Sequence, residues 1–441
     1  MTRYALRHRA AEYFKETRKP REAWKNLDDL GPQLAEFDLR LIGEDYDAAA
    51  NVLLEIDENY LSLWGHYRLL VDRYERLQSK LADPDLKFAS AVSLGNAYTR
   101  IGQFEKALRC HEDALTLARA QNSKPYEAHA LVGVGWCYAD MGDHSKAIEL
   151  YQQALAICQD LGDKSGEATA RGNLANRFGD LGRSAEAIEQ YERAIALHKA
   201  VGNREGECRD TYNLAFMYGH LGENVKATRL AGDAQQIARK MGYRLIESAA
   251  TSLLADLMVR EGRFEDAIRE YDRAREIADD SNAVQMQMDA RQNLARACLL
   301  AGDLPRAHIV AEEATMYRFP NGYPSTLVLG GVVALRQGDT AAASMAFDIT
   351  LREADAQLAG TARAYSSAYA KALALAGLAL CRDAGLSTAA AEAYRDARAI
   401  SAAPGIVMDE LQKLDALAVA DPAGTLKAVR AALDLPHRER K

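Results

Sequence analysis

Six glycines, Gly102, Gly142, Gly182, Gly222, Gly262 and Gly302, stand forty residues apart without a slip. Midway between them, at the same spacing, stand Asn122, Gly162, Gly202, Gly242 and Asn282. Glycine and asparagine enter the left-handed backbone region at low cost, and helices commonly end on such a residue. Every twenty residues the chain therefore has a place to stop one helix and begin another. A fixed period of this length marks a repeat array, in which each unit buries its apolar face only against its neighbours. The 441 residues are thus expected to stack as helical hairpins rather than close into one large globule.

The intervals carry helical periodicity. Eight residues before each glycine of the first series stand Leu94, Val134, Leu174, Leu214, Leu254 and Leu294. Seven before it the residue is small: Gly95, Gly135, Ala175, Ala215, Ala255 and Ala295. Four before it stand Tyr98, Tyr138, Phe178, Tyr218, Met258 and Cys298. Five after it is always alanine, Ala187 among them, and nine after it Tyr151, Tyr191 and Tyr271 alternate with smaller groups. Two antiparallel helices must touch at these places. Small residues let the backbones approach, and the bulky groups fill the gaps beside them.

Composition agrees with helices: prolines number only 10, and hydrophobic residues make up 48% of the chain. The formal charge of −8 argues against general nucleic-acid binding, which needs a basic surface. The first 25 residues are locally basic, which reads as a solvated helix face or a domain contact. Six scattered cysteines with no C-x-x-C pair fit a reducing compartment. The opening MTRYALRHRAAEYF has no apolar core of a signal peptide, and no apolar run approaches the ~18 residues of a membrane span. A cytoplasmic location without membrane attachment is expected.

Motifs that carry chemistry are missing. There is no H-E-x-x-H, no paired metal-ligand spacing and no G-x-x-x-x-G-K-S/T. The nearest string to the last, LGDKSGE at Leu161–Glu167, lacks the Gly-Lys pair and sits at a repeat turn. No catalytic residue, metal or cofactor is therefore expected.

The run LGNAYTRIGQFEKALRCHEDAL, Leu94 to Leu115, resembles the tetratricopeptide repeat almost throughout. The forty-residue length is similar to that of the longer repeats in eukaryotic spindle-orientation adaptors and bacterial sensor proteins. The resemblance implies an all-α superhelical solenoid of antiparallel helical hairpins with helical N-terminal and C-terminal caps. Six regular units fill 83–318. Residues 1–82 form a helical N-terminal segment with one degenerate repeat, around Gly43, Tyr46 and Ala48. Residues 319–441 hold two degenerate units and C-terminal capping helices. The first of these units turns at Gly338 with Ala343 and Phe347 in place; the second turns at Gly385 with Ala390, Tyr394 and Ala397. The breaker-dense FPNGYP, Phe319 to Pro324, is the expected hinge, and Met408 to Leu435 reads as two short capping helices.

The segment from Tyr13 to Leu70 resembles a sequence type found in bacterial STAND ATPases, signal-transduction ATPases related to NLR immune receptors. There it joins the nucleotide-binding core to a C-terminal repeat sensor. The resemblance implies the ligand-sensing region of a signalling or antiphage defence protein, with an ATPase module N-terminal to this chain. A stand-alone adaptor or peptide receptor that scaffolds a protein complex is the rival reading.

In tetratricopeptide folds the first helix of each hairpin lines the concave groove, where a protein or peptide ligand binds. Nine and six residues before the turn glycine, that face carries Asn173, Asn176 and Asn213, whose amides both donate to and accept from an extended peptide. Trp136 and Phe216 are large aromatics among polar neighbours, as binding anchors often are. Arg209, Arg260 and Arg296 suit acidic groups. Each has a structural alternative: the asparagines can brace adjacent helices, the aromatics can pack between hairpins, and the arginines can be solvated charges.

Overall fold

The structure is a computed structural model and describes residues 3–62, 64–279, 284–317, 322–360 and 364–433. The described residues form α-helices joined by short turns, with no strand among them. They divide into two compact units, Met1–Asn203 and Arg204–Lys441.

The glycine register builds the hairpins. Gly102, Gly142, Gly182, Gly222, Gly262 and Gly302 all have φ between +74° and +85° and each closes the turn inside one hairpin. Asn122 (φ +54°), Gly162, Gly202 and Gly242 take the same conformation between hairpins; Asn282 lies outside the described residues. The first unit holds repeat one (Pro84–Arg100 and Phe104–Ala120), repeat two (Lys124–Asp140 and His144–Leu161) and repeat three (Lys164–Asp180 and Ser184–Val201). The second unit holds repeat four (Arg204–His220 and Asn224–Met241), repeat five (Arg244–Arg260 and Phe264–Asp279) and repeat six (Val284–Ala301 and Leu304–Thr315). Asp83, Asp143, Asp163 and Asp303 cap helix starts by accepting backbone N–H bonds, which satisfies donors the helix leaves open.

The packing explains the small residues. Alanines five after the turn, from Ala107 to Ala307, are wholly buried. Tyr151 lies so close to Gly135 that a Cβ there would collide with its ring, and His111 sits against Gly95 and Gly133 in the same way. The residue nine after the turn is thus a wedge, and the glycines are the slot it enters.

Before repeat one, helices Gly31–Ile42 and Tyr46–Ile56 form a further hairpin. Its left-handed residue is Glu44 (φ +62°), not Gly43. Three of the basic N-terminal residues form ion pairs within the unit: Arg18 pairs with Glu36 and Glu55, Arg21 with Glu55, and Lys19 with Asp29.

After repeat six, Tyr323–Arg336 with Thr340–Gly360, and Tyr365–Cys381 with Leu386–Ile400, form two more hairpins. The first turns at left-handed Gly338. The second turns differently: Gly385 is helical (φ −59°) and its N–H donates to Asp383. Phe347 wedges between Gly331 and Gly377, joining these two hairpins. Residues 319–321, the first half of the expected hinge loop Phe319–Pro324, lie outside the described residues. Helix Lys427–Leu433 packs on Leu386–Ile400, as an end cap does. Helix Pro404–Ala418 lies elsewhere, against the first helices of repeats four and six and of both later hairpins.

Candidate functional site

Within each unit the first helices of successive hairpins touch one another as well as their own second helices. They therefore line one side of the stack within each unit, the inner side. The candidate residues all lie on first helices, and the structure gives each a distinct setting.

In the first unit Trp136, Asn173 and Asn176 are half-buried. Asn176 accepts a hydrogen bond from the Tyr191 hydroxyl at 2.5 Å, so it braces the wedge of its own hairpin. Asn173 keeps a buried amide nitrogen with no hydrogen-bond partner among the described residues, and the Asn96 side-chain oxygen is in the same position. Around them stand polar groups at the helix ends. Arg177 pairs with Asp180 at 3.1 Å. Asp140 is exposed at its helix end; crowding by neighbouring groups raises its carboxyl above the ordinary value, while Arg177 and Arg100 act in the opposite direction. The first unit thus sets a half-buried aromatic ring beside amides whose unpartnered atoms are themselves buried.

In the second unit Phe216 is 40% exposed and lies 4.0 Å from the His220 ring, measured between centroids. Burial, then the nearby Arg260 charge, pushes the His220 pKa down to about 4. Asn213 is half-buried. Arg209 is partly exposed, with its Nε 3.4 Å from Asp210.

Arg260 and Arg296 are not solvated. Arg260 donates to both Asp409 carboxylate oxygens, at 2.9 and 2.7 Å, and to the Gly219 carbonyl at 2.7 Å. Arg296 donates to Asp256 and to the Tyr271 hydroxyl. Tyr271 in turn donates to Asp256. Burial alone raises the Asp409 carboxyl, but hydrogen bonding and attraction from Arg260 outweigh it and hold the carboxyl below its ordinary value. Both guanidiniums thus meet acids of the same chain: Arg260 pairs with Asp409 on helix Pro404–Ala418, and Arg296 with Asp256 on the first helix of repeat five, with Asp409 3.9 Å away. Sequence reasoning missed helix Pro404–Ala418 as a groove element because its pattern, apolar with a central acid, does not differ from that of an end cap.

These contacts, the paired helices and the forty-residue register define the repeat type. A tetratricopeptide repeat family model matches residues 87–160 and 146–200. The chain carries tetratricopeptide repeats. Among solved structures it is similar to a STAND protein with a tetratricopeptide repeat sensor from Pyrococcus horikoshii. The likeness has 16% identity and a TM-score of 0.53, over 77% of this chain and 50% of that one. The chain therefore spans about half the length of that protein. It is also similar to a Rap protein complexed with competence and sporulation factor (16% identity, TM-score 0.49, 80% of this chain and 92% of that one). A tetratricopeptide repeat protein from Parabacteroides merdae is a further match (17% identity, TM-score 0.41, 60% and 92%). At these identities the likeness is one of fold. No curated protein matches the sequence.

Tetratricopeptide repeats are scaffolds for protein partners. The described residues hold no group of three or more His, Cys, Asp or Glu fit for a metal, and no helix among them is long and apolar enough to cross a membrane. The described cysteines, as far as the environment of each shifts them, are raised by burial, to about 12 at Cys137. Five of them are buried and Cys381 is half-buried, the setting in which a thiol packs as a small apolar group.

Proposed function

We propose that this chain is the non-catalytic, ligand-sensing C-terminal region of a bacterial STAND ATPase of the signalling or antiphage defence kind, acting in the cytoplasm. Its ligand is a protein or peptide bound on the inner faces of the repeats. An ATPase module N-terminal to these residues would receive the signal. The observation that carries the reading is the arrangement of the N-terminal segment. The described residues of the STAND-like stretch from Tyr13 to Leu70 fold as short helices, and helix Tyr67–Leu77 leads into repeat one. The similarity to a STAND protein whose sensor is made of tetratricopeptide repeats, over half that protein's length, supports it.

Trp136 and Phe216 are the proposed anchors, and Asn173 and Asn213 the proposed backbone grips. Arg209 is the arginine left accessible to an acidic ligand group.

The test is the gene upstream of the codon for Met1. A nucleotide-binding ATPase module in the same frame supports the sensor reading. An in-frame stop directly upstream contradicts it and leaves a stand-alone adaptor.

A further inference from the structure

Helix Pro404–Ala418 is outside the repeat register, yet it lies along the inner face of the second unit. Its fifteen residues span roughly 22 Å. Ile406, Val407, Leu414 and Leu417 are buried against the first helices, while Asp415 on the opposite side is exposed. Gly405 is seated so closely that a Cβ there would collide with the Gly219 carbonyl oxygen. One turn further on, Asp409 meets Arg260 in a two-point pair. Gln412 donates to the Val259 carbonyl at 3.4 Å, and Arg336 donates to the Ala416 carbonyl at 3.0 Å, closing the helix C-terminus. Small, apolar, apolar, any residue, acid is the order in which this groove reads Gly405 to Asp409.

The seat is imperfect. Arg296 is only 5% exposed, yet its Nη1 has no hydrogen-bond partner among the described residues and stands 3.9 Å from Asp409. The Gln412 side-chain oxygen is buried and unpartnered as well. A buried donor left unmade is stabilisation forgone, most of all when the donor is charged. A ligand that sets its carboxylate between Arg260 and Arg296 satisfies both guanidiniums, which Asp409 does not.

We propose that helix Pro404–Ala418 is a built-in stand-in for a partner. The groove of the second unit receives an amphipathic helix of another protein carrying the small–apolar–apolar–x–acid order, and the chain's own helix leaves to admit it. This rests on the protein-binding reading above and names the ligand chemistry of one of its surfaces. The resident helix follows residues 401–403 directly, and such a short tether gives an effective concentration of the order of millimolar. A partner must outbind that, so the surface stays closed to weak ligands.

The experiment uses the full chain and a fluorescent synthetic peptide with the sequence of residues 402–420. In the chain, Ile406→Asp with Leu414→Asp expels the resident helix by burying charge in its seat. Fluorescence anisotropy should show the variant binding the peptide at least about 100-fold more tightly than the wild-type chain does. The same peptide carrying Asp409→Asn should bind at least about 30-fold more weakly, the loss expected when one partner of a buried charge pair is removed. A variant that keeps its helix content and cooperative melting but binds neither peptide overturns the proposal. If that variant does not fold, hydrogen exchange on the wild-type chain decides. Amides of 408–418 that open at lower free energy than those of Val284–Ala301 support an exchangeable helix; opening only together with them overturns it. None of these outcomes bears on the upstream reading frame, so the sensor assignment stands or falls separately.

Discussion

Replacing His111 by tyrosine should stabilise the first unit and remove a pH dependence that the wild-type chain carries. His111 is 1% exposed, wedged against Gly95 and Gly133, and neither ring nitrogen has a hydrogen-bond partner among the described residues. The residue in its register is a tyrosine in repeats three and five, where the hydroxyl donates to Asn176 or Asp256 fifteen positions earlier. Fifteen before His111 stands Asn96, with its side-chain oxygen buried and unpartnered. A tyrosine at 111 therefore has an acceptor waiting, worth about 1 kcal/mol at pH 7.

The pH term follows from burial, then from His129, which together push the His111 pKa from 6.5 down to about 4. The unfolded chain takes up this proton below pH 6.5 and the folded chain does not until about pH 4, so stability falls as pH drops through that window. Linkage gives a loss of about 2 kcal/mol between pH 7 and pH 5 from this residue alone. His111→Tyr should be more stable than wild type by about 1 kcal/mol at pH 7 and about 3 kcal/mol at pH 5. Urea titrations at both pH values, followed by hydrogen exchange over residues 104–140, measure the difference, and all other titrating groups cancel between the two proteins. An advantage equal at the two pH values would refute the buried neutral imidazole; a destabilised variant would refute the equivalence of the wedge positions.

Other substitutions test the packing and the charge seat. Ala187 is fully buried where two helices meet, so Ala187→Leu should cost ~1–3 kcal/mol by overpacking, read as a lower denaturation midpoint. Phe347, fully buried between Gly331 and Gly377, should cost ~3–5 kcal/mol when cut to alanine, with the loss confined to the second unit by hydrogen exchange. Arg260→Ala leaves the half-buried Asp409 without its main partner and should cost about 3 kcal/mol, whereas a change below about 1 kcal/mol would mean the pair is solvent-screened. The Asp409 carboxyl is held below its ordinary 3.8, so its contribution is present above that pH and is lost as pH falls through the lower folded value. Circular dichroism below pH 4 in wild type and Asp409→Asn compares the two, and only wild type should lose stability from this source.

The hairpins were legible because turn chemistry and wedge packing both repeat at a fixed interval. Gly102 and its equivalents need a left-handed backbone, and Gly135 needs to lack a Cβ, so the residue type reports the geometry at each place. Where a different device performs the same task the pattern goes silent. Glu44 takes the left-handed role beside Gly43, and Asp383 organises the turn that Gly385 does not. The candidate groove was legible as a face but not as a set of roles. The position six before the turn holds Asn176, Asp256 or Arg296, and only the tyrosine or helix opposite determines what each one does. The partner of Arg260 is Asp409, 149 residues away, and no local periodicity encodes a contact at that separation.

The central claim is that the inner faces of these repeats bind protein or peptide. Selection of a displayed random-peptide library on the immobilised full chain tests it most directly, with enriched peptides then measured against Trp136→Ala and Phe216→Ala. The account predicts peptides whose affinity falls about 30-fold or more in at least one of these variants, the size of an anchor loss at a binding centre. Enriched peptides that bind both variants as tightly as the wild-type chain would contradict it.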